Sequence, residues 1–81
     1  MTDKIRIFTS PFCPPCQELK EKLTPEQLRS VEFINIHTSR GFDEAMAKKI
    51  LGVPYAEKNG RRCKVIFTNN KVVFDCGEKN P

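Results

Sequence analysis

Polar and apolar residues alternate at the start of residues 4–9, Lys4 and Arg6 being followed by Ile5 and Ile7 in turn before the chain turns apolar at Phe8. A period of two predicts a β-strand there. A similar run over 31–36, built on Val31, Phe33, Ile34 and Ile36, predicts a second strand. Between them the period changes. Cys16, Leu19 and Leu23 fall on one helical stripe, so a helix is expected through 17–23, entered from a loop over 10–16. Thr24-Pro25-Glu26-Gln27 has capping-box spacing with proline at the first helical position, which predicts a short second helical turn.

Beyond the second strand, 39–42 reads as a loop and a second main helix is expected over 43–51, with Phe42, Met46 and Ile50 spaced four apart. Gly52 stands where a helix C′ glycine belongs and Pro54 follows two residues later. The last third alternates again. Runs over 63–68 and 71–76 flank Asn69-Asn70, a pair suited to the positive φ angles of a two-residue type I′ turn. Residues 55–62 are polar and carry an Asn59-Gly60 turn signal, so they read as an inserted loop or small hairpin. The rival, a strand over 53–58, is too polar for the middle of a sheet. The order is then β-α-β-α-β-β, an α/β fold with a mixed four-stranded sheet. Its first half makes a parallel pair with a crossover helix and its last hairpin adds antiparallel strands.

Eighty-one residues suit a single domain, 1–81, with a thin core. Hydrophobic residues make up 38% and charged residues 30%, which argues against disorder. No apolar run approaches the ~18 residues of a membrane span. Met1 to Ile5 lacks a basic segment followed by an apolar one, so a cytoplasmic location and no membrane partner are expected. The net charge of +4 is mild and densest at Lys58, Arg61, Arg62 and Lys64, with Lys48 and Lys49 nearby. A solvated surface accounts for it, an acidic docking partner is the next reading, and nucleic acid is disfavoured because no aromatic stacking pattern accompanies the charge.

The chemistry lies in Cys13-Pro14-Pro15-Cys16. Two cysteines three apart span one helical turn, so their sulfurs can reach bonding distance. The first stands at a helix N-terminus, where unpaired N–H groups favour a thiolate, and the second lies one turn inward. Cys13 is thereby the candidate nucleophile and Cys16 the resolving thiol, and the intervening prolines restrict the chain between them. Half of a zinc site has the same spacing; placement after the first strand of a βαβ pattern is what favours redox chemistry.

Residues 5–23, with their leading strand and Cys-Pro-x-Cys motif, resemble the opening of a glutaredoxin or close thioredoxin relative, and Gly52-Val53-Pro54 resembles that family's Gly-Val-Pro segment. The resemblance implies a minimal thioredoxin (glutaredoxin-like) fold and a dithiol–disulfide oxidoreductase. It implies a cis Pro54 beside the cysteines and a Val53 backbone that bonds a substrate's extended chain; a plain proline after a helix cap is the alternative for Pro54. The expected substrate-contacting set is Phe12, Pro14, Pro15, Val53, Pro54 and Tyr55, with Tyr55 alternatively anchoring the inserted loop. No bound cofactor or metal is expected. Glutathione or a thioredoxin-reductase-type enzyme would supply electrons, and disulfide proteins, ribonucleotide reductase among them, or glutathione mixed disulfides would receive them.

Three departures from the family are expected: the insertion at 55–62, Cys76-Gly77-Glu78-Lys79 in place of a Gly-Gly glutathione segment, and the absence of the family's final helix. A two-residue turn at Asn69-Asn70 also sets Lys64 opposite Asp75 and Cys63 opposite Cys76, the latter a non-hydrogen-bonded pair with the closer Cα spacing. Cys63 and Cys76 are therefore either a second disulfide or two buried thiols. A four-cysteine zinc module and a non-catalytic thioredoxin-fold binding module are the competing functions. His37, Lys4 and Arg6 read as solvent-facing residues.

Overall fold

The computed structural model describes residues 4–77. The elements are β1 (Ile5–Thr9), α1 (Pro14–Lys22), α2 (Pro25–Arg29), β2 (Val31–Asn35), α3 (Ser39–Ala47), β3 (Tyr55–Lys58), β4 (Arg61–Phe67) and β5 (Val72–Asp75). They build one mixed sheet in the order β2-β1-β3-β4-β5. β1 and β2 are parallel, with Ile7 level with Phe33, and every later pairing is antiparallel.

The sheet has five strands rather than the expected four. Residues 55–62 are no insertion: Tyr55–Lys58 is a central strand, paired with β1 on one side and β4 on the other. Asn59 and Gly60 make the two-residue turn between β3 and β4, both at positive φ, 54° and 79°. The polarity that argued against a central strand is compensated. Glu57, only 5% exposed, lies 3.3 Å from Arg6 and 3.1 Å from Lys48. Arg6, rather than facing solvent, makes two bonds to Glu44 of α3 and also approaches Glu32 and Glu57. Its hydrogen bond to Glu44 holds that carboxyl below the ordinary glutamate range against the opposing effect of desolvation, and pushes the guanidinium further up.

Alternation divides the sheet into two faces. On one, Ile7, Val31, Ala56, Cys63 and Val72 pack with Leu19 and Leu23 of α1 and its C-cap, forming the core. On the other, Phe8 is fully buried and α3 is tied down through Glu44 and Lys48.

α3 begins at Ser39, four residues before the expected start, because the Thr38 hydroxyl accepts the Gly41 N–H and caps it. The shift turns a different stripe inward. Gly41 and Ala45 are buried, while Phe42 and Met46 of the expected stripe are exposed. A Cβ at Gly41 would stand 2.0 Å from the Asn35 carbonyl oxygen, so only glycine permits this approach. α3 also ends early. The Lys49 N–H bonds the Met46 carbonyl and the Ile50 N–H bonds the Ala45 carbonyl, a Schellman ending with Lys49 at φ 58° in the place expected of Gly52.

The Thr24 capping box forms in full. The last hairpin keeps its expected register, with Lys64 opposite Asp75 and Thr68 bonded to Lys71, but Asn69 and Asn70 are not at positive φ, so the turn is not type I′. The helices tie this hairpin down: the Gln27 side chain of α2 donates to the Val72 carbonyl at 2.7 Å and Lys22 of α1 reaches the Thr68 carbonyl at 3.5 Å. Among the described residues no helix follows β5; Glu78 and Lys79 of the expected glutathione segment, and residues 1–3 of the expected leaderless N-terminus, lie outside them.

Candidate active site

The loop from β1 into α1 is short and heavily bonded. Ser10 is buried; its hydroxyl accepts the Phe12 N–H at 3.1 Å and its carbonyl accepts the Cys13 N–H at 3.2 Å. Cys13 is then the N-cap of α1. Its sulfur accepts the Cys16 N–H at 3.2 Å, and its carbonyl accepts from Cys16 and Gln17 at 3.0 and 3.2 Å. Pro14 and Pro15 occupy the first two helical positions and bring no N–H, so Cys16 is the first residue of the helix able to donate to the cap. The fixed φ of proline also suits the helix start.

Cys13 and Cys16 are joined as a disulfide with Cα atoms 5.2 Å apart. Their accessibilities differ: Cys13 keeps 9% of its surface and Cys16 none. An incoming group can meet only the first sulfur. An anion on Cys13 is favoured here by the helix terminus and by the Cys16 N–H, whereas Cys16 is enclosed beside Leu19 on the buried stripe of α1.

Val53, Pro54 and Tyr55 come to the same place. The Val53–Pro54 peptide bond is cis, and the Val53 carbonyl oxygen stands 3.5 Å from the Cys13 sulfur. Pro54 leads directly into β3, where Tyr55 is opposite Phe8, its ring edge-on to Phe8 with centroids 6.1 Å apart. Val53, Pro54 and Tyr55 are half-buried, and Phe12, at 80% exposure, projects beside Cys13 with Pro14 and Pro15.

The structure thus gathers Phe12, Cys13, Pro14, Pro15, Cys16 and Val53 into one region with Pro54 and Tyr55. Cys63 and Cys76 belong to the β4–β5 hairpin, joined as a disulfide with Cα atoms 3.8 Å apart, and Cys63 lines a cleft with Pro54 and Tyr55. Among the described residues no cluster of three or more His, Cys, Asp or Glu side chains could hold a metal ion.

One neighbour escaped the sequence. His37, read as a lone surface residue, places Nε2 2.9 Å from the Ser10 hydroxyl and meets the Phe12 ring edge-on at 5.3 Å. It braces the loop that presents Cys13. The only available signal was its position just past the second strand, level with the loop after the first.

A parallel β1-β2 pair with α1 crossing between them, a cis-proline segment opening an antiparallel strand, and a cysteine pair at the head of α1 define the arrangement. The solution structure of a thioredoxin from Thermus thermophilus matches it with a TM-score of 0.56 at 17% identity, over 90% of this chain and 58% of that one. The chain has a thioredoxin-like fold. It spans less than two thirds of the length of that thioredoxin, and at this identity the likeness concerns architecture. No protein-family model and no curated protein matches the sequence. No helix among the described residues is long and apolar enough to cross a membrane.

Proposed function

We propose that this protein is a dithiol–disulfide oxidoreductase of glutaredoxin-like type, working through Cys13 and Cys16 in the cytoplasm. The observation that carries the reading is the asymmetry of the pair: one cysteine slightly exposed in a cleft, its sulfur capping a helix and accepting its first available N–H, and its partner wholly buried one turn inside. The Cys13 thiolate attacks one sulfur of a substrate disulfide, forming a mixed disulfide and expelling the other substrate sulfur as a thiolate, which takes a proton from water. The Cys16 thiolate then attacks the Cys13 sulfur and releases the second substrate thiol. Two electrons have passed to the substrate and the protein is left with its Cys13–Cys16 disulfide. Glutathione, or a reductase of the thioredoxin-reductase type, returns it to the dithiol.

Phe12, Pro14 and Pro15 supply an apolar rim for the approaching disulfide, and Val53 offers its backbone beside the sulfur. Protein disulfides are the proposed substrates, ribonucleotide reductase among them, with glutathione mixed disulfides as an alternative electron acceptor. The division of roles is tested by trapping. Cys16→Ser should accumulate a mixed disulfide on Cys13, since nothing remains to resolve it, while Cys13→Ser should form none. Equal trapping by both variants would remove the assignment.

A further inference from the structure

Two clefts open near the Cys13 sulfur, and their charged lining residues are of opposite sign. One, of about 470 Å³, is lined by Cys13 and Phe12 together with Glu18 and Glu21. The other, of about 290 Å³, runs along Val53, Pro54 and Tyr55 and is lined by Lys49 and Arg62. The Val53 carbonyl, 3.5 Å from the Cys13 sulfur, joins the second cleft to the reacting atom.

Among the described residues Lys49 and Arg62 make no ion pair; the Arg62 guanidinium sits over the Tyr55 ring at 5.3 Å, and both residues line the cleft. On the other side Glu21 has no ion-pair partner among the described residues, and Glu18 is paired with Lys22 at 2.9 Å. On the α3 face, Arg6 and Lys48 hold Glu44 and Glu57. Among the described residues, the charges beside the cysteine without an ion-pair partner are Lys49 and Arg62 toward Pro54 and Glu21 toward α1.

We propose that these clefts orient a polypeptide substrate by charge, with acidic residues on one side of the target cysteine lying against Lys49 and Arg62 and basic residues on the other side lying against Glu18 and Glu21. The inference rests on the oxidoreductase reading and adds to it a class of substrate: a protein disulfide whose target cysteine is flanked by opposite charges. A uniformly acidic partner fits less well, because Glu21, in the cleft that Cys13 itself lines, has no ion-pair partner among the described residues. Exposed pairs of this kind are individually weak, but several acting together and little screened at low ionic strength give about a tenfold discrimination.

The test uses two cysteine peptides of identical composition and zero net charge, Asp-Asp-Gly-Cys-Gly-Lys-Lys and Lys-Lys-Gly-Cys-Gly-Asp-Asp, each as its disulfide with 2-mercaptoethanol. Long-range attraction to the +4 protein cancels between them, so only the order of charges differs. The expected result is about a tenfold difference in kcat/KM at low salt, carried by KM, shrinking as salt is added and erased or inverted in Lys49→Glu/Arg62→Glu. Equal kcat/KM for the two peptides, or a preference that survives the double substitution, overturns the proposal. Bis(2-hydroxyethyl) disulfide, which is neutral, separates the two layers. Failure of the wild-type protein to reduce it would sink the oxidoreductase reading, whereas its reduction alongside equal peptide rates sinks only the charge-orientation proposal.

Discussion

Pro15 controls how many backbone donors the Cys13 sulfur receives. A helix N-cap side chain accepts from the N–H of the second or third helical residue. Here the second is Pro15, with no N–H, and the third is Cys16, which supplies the one bond at 3.2 Å. Pro15→Ala restores the missing donor while keeping a residue that the helix accepts. A hydrogen bond to a charged group contributes about 1.5–3 kcal/mol, and the low end suits a site at the protein surface. That is about a tenfold rise in the thiolate-to-thiol ratio of Cys13. Two readouts follow. Alkylation of Cys13 by iodoacetamide at a pH below its titration midpoint should quicken by about threefold, since roughly half the gain is offset by the lower nucleophilicity of a better-stabilised thiolate. The dithiol should also be favoured over the disulfide, raising the reduction potential by about 30 mV. Loss of proline stiffness in the unfolded chain does not enter, because both redox states are folded. Pro14→Ala is the control, since an N–H at the first helical position does not bond the cap side chain. An unchanged alkylation profile in Pro15→Ala, or an equal change in Pro14→Ala, would refute this account of the site.

Gly41→Ala puts a methyl group 2.0 Å from the Asn35 carbonyl oxygen, so α3 must lift from the end of β2, and urea denaturation should show a loss of about 1–3 kcal/mol or more. The Cys63–Cys76 bond closes a loop between residues 13 apart, and Cys63→Ala/Cys76→Ala should lower stability by about 3 kcal/mol relative to the oxidised protein, measured by the same titration; no loss would mean the bond contributes nothing to the folded domain. Glu44, held below its ordinary range by Arg6, binds its proton less readily in the folded than in the unfolded state. Its contribution is present above the ordinary glutamate range and is lost as pH falls through the depressed folded value. The wild-type urea midpoint should therefore fall more steeply between about pH 6 and about pH 3 than that of Glu44→Gln, and parallel curves would contradict the assignment.

Much of this architecture was legible because local chemistry and packing agree. The strand through Ile5 and Ile7, the Thr24 capping box and the two-residue spacing between Phe67–Thr68 and Lys71–Val72 all appear as read. The cysteine pair was visible for the same reason: its spacing, its prolines and its place after a strand each point to one geometry. What escaped depended on partners distant in sequence. β3 looked too polar for the sheet interior because Glu57 is neutralised by Arg6 from 51 residues away and by Lys48 of the α3 cap. The start of α3 was missed because Thr38 was not recognised as a cap, and the four-residue shift exchanged the inward stripe of Phe42 and Met46 for the small residues Gly41 and Ala45. Lys49 at positive φ displaced the glycine expected to end that helix, a case of tertiary context overriding a residue's preference. His37 gave no periodic signal, and only the parallel pairing of β1 with β2 brings it level with Ser10 and Phe12.

The central claim is that Cys13 and Cys16 exchange reversibly between dithiol and disulfide. A redox titration in glutathione buffers, with alkylation and mass spectrometry resolving each cysteine, tests it most directly. The account predicts a reversible Cys13–Cys16 disulfide with a midpoint between about −180 and −270 mV, the span of known dithiol carriers. It also predicts that Cys63 and Cys76 titrate as a separate pair. A Cys13–Cys16 pair that never forms across the titration, with zinc accompanying the purified protein, would contradict it.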